Sequence, residues 1–207
     1  MSYQTLKRPV RANLEIKKSQ FIAFAYPVAS RDEAMFHVEQ LRLEFPDARH
    51  HCWAYIIGDP SNTTSAGFDD DGEPNGTAGR PILNVLQHKA IGNVIIIVVR
   101  YFGGIKLGAG GLTRAYAASA QLAVDEMQLV EFIPKSTLII ETDFANEAHC
   151  RYIAAQLDGI IGEVNYSQTV QLPVTIANEH IAEIQENLGI YGKVIDNNSK
   201  QSIENDN

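Results

Sequence analysis

The chain has 207 residues, 45% of them apolar and 8% aromatic, with 17 Lys+Arg against 25 Asp+Glu for a formal charge of −8. Such a composition supplies apolar side chains for one large core or two modest ones, which excludes disordered and fibrous classes, and its acidity excludes a generally basic nucleic-acid binder. The longest purely aliphatic run, Val94 to Val99, is far short of the roughly 18 residues of a membrane-spanning helix, and the opening MSYQTLKRPVRANLE has no apolar leader core, so a cytoplasmic protein without a membrane partner is expected.

Taken in chain order, Phe21 to Val28 reads as a strand. Ser30-Arg31-Asp32-Glu33 is a capping box, in which Ser30 accepts from the Glu33 N–H and Glu33 reaches back. Ala34, Val38, Leu41 and Phe45 then form one apolar stripe that ends at Pro46, predicting an amphipathic helix. Arg49 to Ile57 alternates faces, with His50, Cys52, Ala54 and Ile56 opposite His51, Trp53, Tyr55 and Ile57. A long loop is expected from Gly58 to Gly76. Ile82, Leu83, Val85 and Leu86 then predict a helix with Pro81 in its first turn, where a missing N–H removes no helical bond. The run VIIIVV is continuously β-branched and predicts a strand buried on both faces near the centre of a sheet. After Arg100 a glycine-rich turn leads into a helix from about Gly111 to Gln128, whose alanines permit close packing.

The remaining sequence has a different rhythm. Thr137 to Glu141 is a strand, and Cys150, Ile153, Ala154 and Leu157 make a helical face. Ile160 to Tyr166 and Thr169 to Ile176 form a hairpin about Ser167-Gln168, Ile181, Ile184 and Leu188 follow Asn178 as N-cap, and Tyr191 to Ile195 closes the series. This βαββαβ order is that of a ferredoxin-like unit. Pro173 conflicts with it, because a central strand cannot lose a ladder N–H without a bulge or an altered pairing. The predicted organisation is an α+β chain with domains at 1–134 and 135–197, the boundary near Glu131 to Ser136, and a disordered polar tail from 198 within the closing NNSKQSIENDN. Charge divides at the same place. Residues 1–134 hold 13 basic and 14 acidic side chains, whereas residues 135–207 hold 4 and 11, so an anionic partner should meet the first part.

Chemistry concentrates at two glycine clusters. In YFGGIKLGAGGLTRAY, Gly103, Gly104, Gly108, Gly110 and Gly111 let something approach the backbone closely, or merely shape a tight turn. The helix start that follows, with Lys106 and Arg114, makes a candidate anion site that matches neither the Walker A nor the dinucleotide spacing. Tyr101 and Phe102 end the buried strand beside it, where an aromatic either stacks on a base or packs under the turn. In DDDGEPNGTAGRP, the carboxylates Asp69, Asp70, Asp71 and Glu73 are read as internal partners of Arg80, Arg100, Lys106 and Arg114. A metal held by Asp70, Asp71, Glu73 and His50 is the less favoured reading. Cys52, two residues from His50 on one strand face, is read as a core thiol, and Trp53 and Tyr55 as core aromatics. The two cysteines, Cys52 and Cys150, have neither zinc spacing nor the pattern of a disulfide framework.

FDDDGEPNGTAGRPIL at 68–83 and VVRYFGGIKLGAGGLTRAY at 98–116, with KKSQFIAFAYPV at 17–28 and HHCWAYIIG at 50–58, resemble the YigZ/IMPACT family in its bacterial two-domain type, over nearly the full length. The resemblance implies an N-terminal domain with the fold of a small-subunit ribosomal protein domain and of elongation factor G domain IV. It also implies a C-terminal ferredoxin-like domain similar to elongation factor G domain V. It further implies a place in translational control, where eukaryotic relatives bind a ribosome-associated activator of a stress kinase. The family signature falls on Asp70, Asp71, Gly72, Glu73, Gly76, Thr77, Ala78, Gly79 and Arg80, and on Arg100, Tyr101, Gly103, Gly104, Lys106, Leu107, Gly108, Gly110, Gly111 and Arg114. Asp69 stands where the family commonly has serine.

The favoured function is a translation-associated regulatory factor binding RNA, ribosome or a translation protein through the glycine turn with Tyr101 and a basic patch of Arg80, Arg100, Lys106 and Arg114 that the acidic loop leaves unneutralised, with no cofactor and no obligatory small molecule. No nucleophile, base and oxyanion set can be assembled from the sequence, which argues against an enzyme. The competing readings are a metal-assisted hydrolase or phosphate-handling enzyme using Asp69 to Glu73 with His50 or His51, and an acidic module that recruits a basic protein.

Overall fold

In the computed structural model, which describes residues 2–195, Ser2–Phe132 folds around one five-stranded sheet and residues 133–195 around another. The first unit runs β1 (Tyr3–Leu6), β2 (Val10–Ile16), β3 (Ser19–Pro27), α1 (Arg31–Glu44), β4 (His50–Asp59), β5 (Asn62–Asp69), α2 (Gly79–His88), β6 (Val94–Tyr101), α3 (Ala109–Asp125) and β7 (Leu129–Phe132). Its sheet has the order β2-β3-β6-β4-β5, antiparallel throughout, and β1 pairs with β7 in a separate ribbon.

The central position expected for VIIIVV holds. Val94, Ile96 and Val98 of β6 pack on one face with Ile82, Leu86 and Tyr116 from α2 and α3, while Ile95, Ile97 and Val99 pack on the other with Ala34, Val38 and Leu41 from α1. The faces of β4 separate as the alternation predicts, with Cys52, Ala54 and Ile56 toward α2 and α3, and Tyr55 and Ile57 toward α1. The α1 cap forms through Ser30 Oγ, which accepts from Glu33 N at 3.2 Å. The return arm differs by one residue, since the Glu33 carboxylate accepts from Ala29 N at 2.7 Å.

The expected loop from Gly58 to Gly76 is corrected, because Asn62–Asp69 is β5, antiparallel to β4. This edge strand is largely exposed, so it lacks the apolar alternation by which a strand is read, and its signal is only the β-prone pair Thr63 and Thr64. The edge strand β2 and the short β1 and β7 escape for the same reason. Helix α3 starts two residues before Gly111 and ends at Asp125, before Gln128.

The second unit runs β8 (Lys135–Thr142), α4 (Glu147–Gln156), β9 (Ile160–Ile161), β10 (Asn165–Tyr166), β11 (Val170–Ala177), α5 (Ile181–Leu188) and β12 (Lys193–Ile195). The sheet order is β10-β11-β8-β12, with β9 also on β11. Pro173 is accommodated on one side only. Toward β8 the eight-residue ladder from Val170 to Ala177 is unbroken, and the Pro173 carbonyl accepts from Gly162 N at 2.8 Å on the other side. The N and C=O of a strand residue point the same way, so the missing donor also faces that side, where β9 and β10 are separate pieces whose registers on β11 differ by one residue. Asn178 is not a side-chain cap: it opens a 3-10 turn over Asn178–His180, and its Oδ1 accepts from Ser136 Oγ at 2.7 Å. The tail from 198 lies outside the described residues.

Candidate functional site

The site is built where β6 runs out. Arg100 and Tyr101 point to opposite faces: Arg100 is buried between β6 and α3, whereas Tyr101 is half-buried on the α1 side. Phe102 is exposed, and the Arg100 guanidinium lies 5.7 Å from its ring centre and 5.3 Å from that of Phe21. Gly103 must be glycine, because a Cβ there would overlap the Lys18 carbonyl and the Ser19 nitrogen. Gly104 (φ 84°) and Gly108 (φ 72°) take the left-handed backbone that only glycine adopts freely.

Gly108 is the N-cap of α3. The first N–H to close a helical turn is that of Leu112, donated to the Gly108 carbonyl at 2.9 Å. The N–H groups of Ala109, Gly110 and Gly111 precede it, no side chain caps them, and the first turn holds no acidic residue. Arg114 folds back toward this end, its Nη1 3.7 Å from where a Gly110 Cβ would stand. Lys106 and Arg114 are exposed and form no ion pair among the described residues. Beside the turn is a cavity of about 380 Å³ lined by Arg49, His50, Pro74, Phe102, Lys106 and Leu107, with Arg100 and Glu73 in its wall.

The acidic loop is turned inward. Asp70 Oδ1 accepts from Ala78 N at 2.9 Å and Gly79 N at 2.8 Å, and Oδ2 from Gly76 N at 2.7 Å, so this carboxylate caps the start of α2. Gly79 packs on Asp69, whose carbonyl oxygen would lie 2.6 Å from a Cβ. Asp69 Oδ1 accepts from Asp71 N at 2.6 Å. Asp71 accepts from His51 N at 2.6 Å and pairs with Arg42 at 3.0 Å, and the His50 ring meets the Asp71 carbonyl at 2.7 Å. Thr77 Oγ1 donates to the Pro74 carbonyl at 2.6 Å, and Asp71 (φ 40°), Gly72 and Gly76 have left-handed backbone.

Glu73 links the two glycine motifs from below. Its carboxylate is buried, pairs with Arg100 Nη1, and accepts from Tyr116 Oη at 2.8 Å. Cys52 Sγ lies 3.3 Å from Tyr116 Oη and 3.1 Å from the Asp70 carbonyl. Burial, and then the proximity of Glu73 and the aspartates, pushes the Cys52 thiol far above its usual range, although the Tyr116 hydroxyl opposes this. Burial likewise pushes the Tyr116 phenol up, with Cys52 and Glu73 adding to it. Both stay protonated, and Cys52 is a core thiol as its strand position implies.

The expected pairing of the loop carboxylates with Arg80, Arg100, Lys106 and Arg114 is therefore realised in one pair, Glu73–Arg100. Asp71 takes Arg42 instead, and Asp69 and Asp70 bond backbone N–H groups. Arg80 lies over the Phe68 ring at 5.3 Å, away from the lining of the cavity. Among the described residues, no group of three or more His, Cys, Asp and Glu side chains is placed to hold a metal ion. Arg42, Arg49 and Tyr116 carry parts of the site that sequence reasoning missed. Arg42 and Tyr116 lie on helices where the sequence assigned them no role, and nothing in their spacing announces a partner 29 or 43 residues away.

These features define a member of a known family. The Impact N-terminal domain matches residues 17–124, which contain both glycine motifs, and the chain belongs to the IMPACT family. It is 36% identical over 185 residues to IMPACT family member YigZ of Escherichia coli, covering 89% of this chain and 91% of that one. It is 32% identical over 185 residues to IMPACT family member YvyE of Bacillus subtilis, covering 89% and 84%. Among solved structures, a crystal structure of a hypothetical protein, 33% identical, superposes with a TM-score of 0.72 over 95% of this chain and 98% of the other.

Proposed function

We propose that this chain is a translation-associated regulatory factor whose N-terminal unit binds RNA phosphates, on the ribosome or free, at the start of α3. The observation that carries this reading is the pairing of three uncapped helical N–H groups with Lys106 and Arg114, cations that no carboxylate of the neighbouring acidic loop engages. A helix start presents oriented donors and positive potential to an anion, and the glycines leave the backbone open to it. Lysine supplies a point charge and arginine a planar fork. Membership of the IMPACT family supports the link to translation. The enzyme reading loses its reagents, because the carboxylates it needs already serve backbone donors, Arg42 and Arg100. The acidic second unit is read as holding back from phosphate.

Two measurements test this. The protein should pellet with ribosomes at low salt and be released by nuclease or by raised salt. Engagement of about three phosphates gives a log–log salt slope of roughly −2 on single-stranded RNA. Lys106→Glu with Arg114→Glu should abolish both effects. Absence of RNA and ribosome binding in the wild type at low salt, or its survival in that double variant, overturns the assignment and leaves the glycines structural.

A further inference from the structure

The two-residue turn between β2 and β3 is Lys17-Lys18, with φ of 47° and 64°. Positive φ at both central residues is the hairpin geometry that Asn-Gly or Asp-Gly adopts with least strain, and a lysine gains nothing from it locally. Surrounding structure holds the turn in place. Ser19 is buried and its Oγ accepts from Gly103 N at 3.1 Å, and the Gly103 backbone is pressed against the Lys18 carbonyl so closely that no Cβ fits. The hairpin tip and the glycine turn are thus one packed unit, with Lys106 three residues beyond Gly103. Both lysines are exposed, and neither forms an ion pair among the described residues. A strained backbone that its neighbours hold fixed points to a function for the residues it displays.

We propose that Lys17 and Lys18 form a second phosphate-binding element that extends the site at the start of α3. The partner is then a nucleic-acid backbone presenting successive phosphates, not a single phosphate group. This rests on the phosphate-binding reading above, and adds to it two residues on a different element and a minimum length for the ligand. The turn displays two flexible ammonium groups at the Gly103 end of the glycine turn that carries Lys106, an arrangement suited to following a chain of phosphates without reading its bases.

The test uses the full chain and a short labelled oligouridylate, titrated between about 50 and 200 mM salt. Lys17→Asn/Lys18→Gly removes both charges and gives the turn its preferred residues. The thermal midpoint should rise while low-salt affinity falls, and the log–log salt slope should become less negative by about 1.4, two phosphates at roughly 0.7 each, going from about −3.5 for five phosphates to the roughly −2 of the three at the start of α3. Lys17→Gln/Lys18→Gln, which keeps ordinary side chains in the turn, should show the same loss and so assign it to charge. The proposal is overturned if Lys106→Glu weakens binding but both turn variants leave affinity and slope unchanged, or if only the Asn-Gly variant loses affinity. Absence of binding in the wild type overturns the phosphate-binding reading itself, and this extension with it.

Discussion

Glu73→Ala isolates the interaction that joins the two signature motifs. The Glu73 and Arg100 side chains are only 4% and 7% exposed, so a lost partner at either end is poorly replaced by water. Truncating Glu73 leaves the guanidinium buried without a counter-charge and takes the acceptor from Tyr116 Oη. Breaking a buried pair in this way costs about 3–5 kcal/mol. For a unit the size of Ser2–Phe132 each kcal/mol moves the melting midpoint by roughly 4 °C, so a fall of about 12–20 °C is expected, read by calorimetry and checked by denaturant titration. Glu73→Gln keeps an acceptor for both partners and should cost less, about 1–3 kcal/mol. Glu73→Leu/Arg100→Met removes both charges together and should recover much of the loss. A Glu73→Ala penalty under about 1 kcal/mol, or a double variant no better than the single, would refute the assignment of this pair as the buried link.

Gly103→Ala should destabilise the first unit and disturb the Lys17-Lys18 turn, seen as a lower midpoint and faster amide exchange at Ser19, because a methyl there meets backbone and no flexible side chain can yield; an unchanged midpoint would show that the two turns are not packed together. Calorimetric titration with Mg²⁺, Mn²⁺ and Zn²⁺ should reveal no stoichiometric tight site, since Asp70 and Asp71 are engaged by backbone donors and Arg42. A site abolished by Asp71→Asn would restore the enzyme reading. Burial holds the His51 imidazole below its ordinary value near 6.5, with Asp71 partly opposing the shift. Above about pH 6.5 both folded and unfolded states are neutral at this group and its contribution is complete. As pH falls further the unfolded chain takes up the proton first, so stability declines until the folded pKa is passed. The midpoint should therefore drop between about pH 7 and 5, and His51→Gln should flatten that dependence; an equally steep drop in the variant would refute it. His37, half-buried against Tyr26, shifts in the same direction and contributes in the same window.

Elements with a buried face were legible in the sequence, and those without one were not. The β-branched run of β6, the Ser30 cap and the split faces of β4 each leave a pattern, because one residue type must go inward at a fixed period. Strands β1, β2, β5 and β7 are edges or short ribbons, with too little buried face to constrain composition. The glycine motifs stood out for a related reason: Gly103, Gly104 and Gly108 mark where the backbone must do what other residues resist.

Sequence alone therefore determined the α+β class, the central strand, the place of the glycine turn and the family. Tertiary structure decided which charges are spent and which are free. Local spacing places Asp70, Asp71, Glu73, Arg100 and Lys106 on neighbouring turns but cannot say that Asp70 turns back to cap α2, that Arg42 arrives from α1 to hold Asp71, or that Tyr116 and Arg100 close over Glu73. Pairings over such separations depend on how the helices lie across the sheet, and the lysines of the β2–β3 turn come to the glycine loop only because β3 and β6 are neighbours in it. Ion pairs between separate elements have no period along a chain: their partners are set by the packing of the apolar faces, and only the assembled core brings them together.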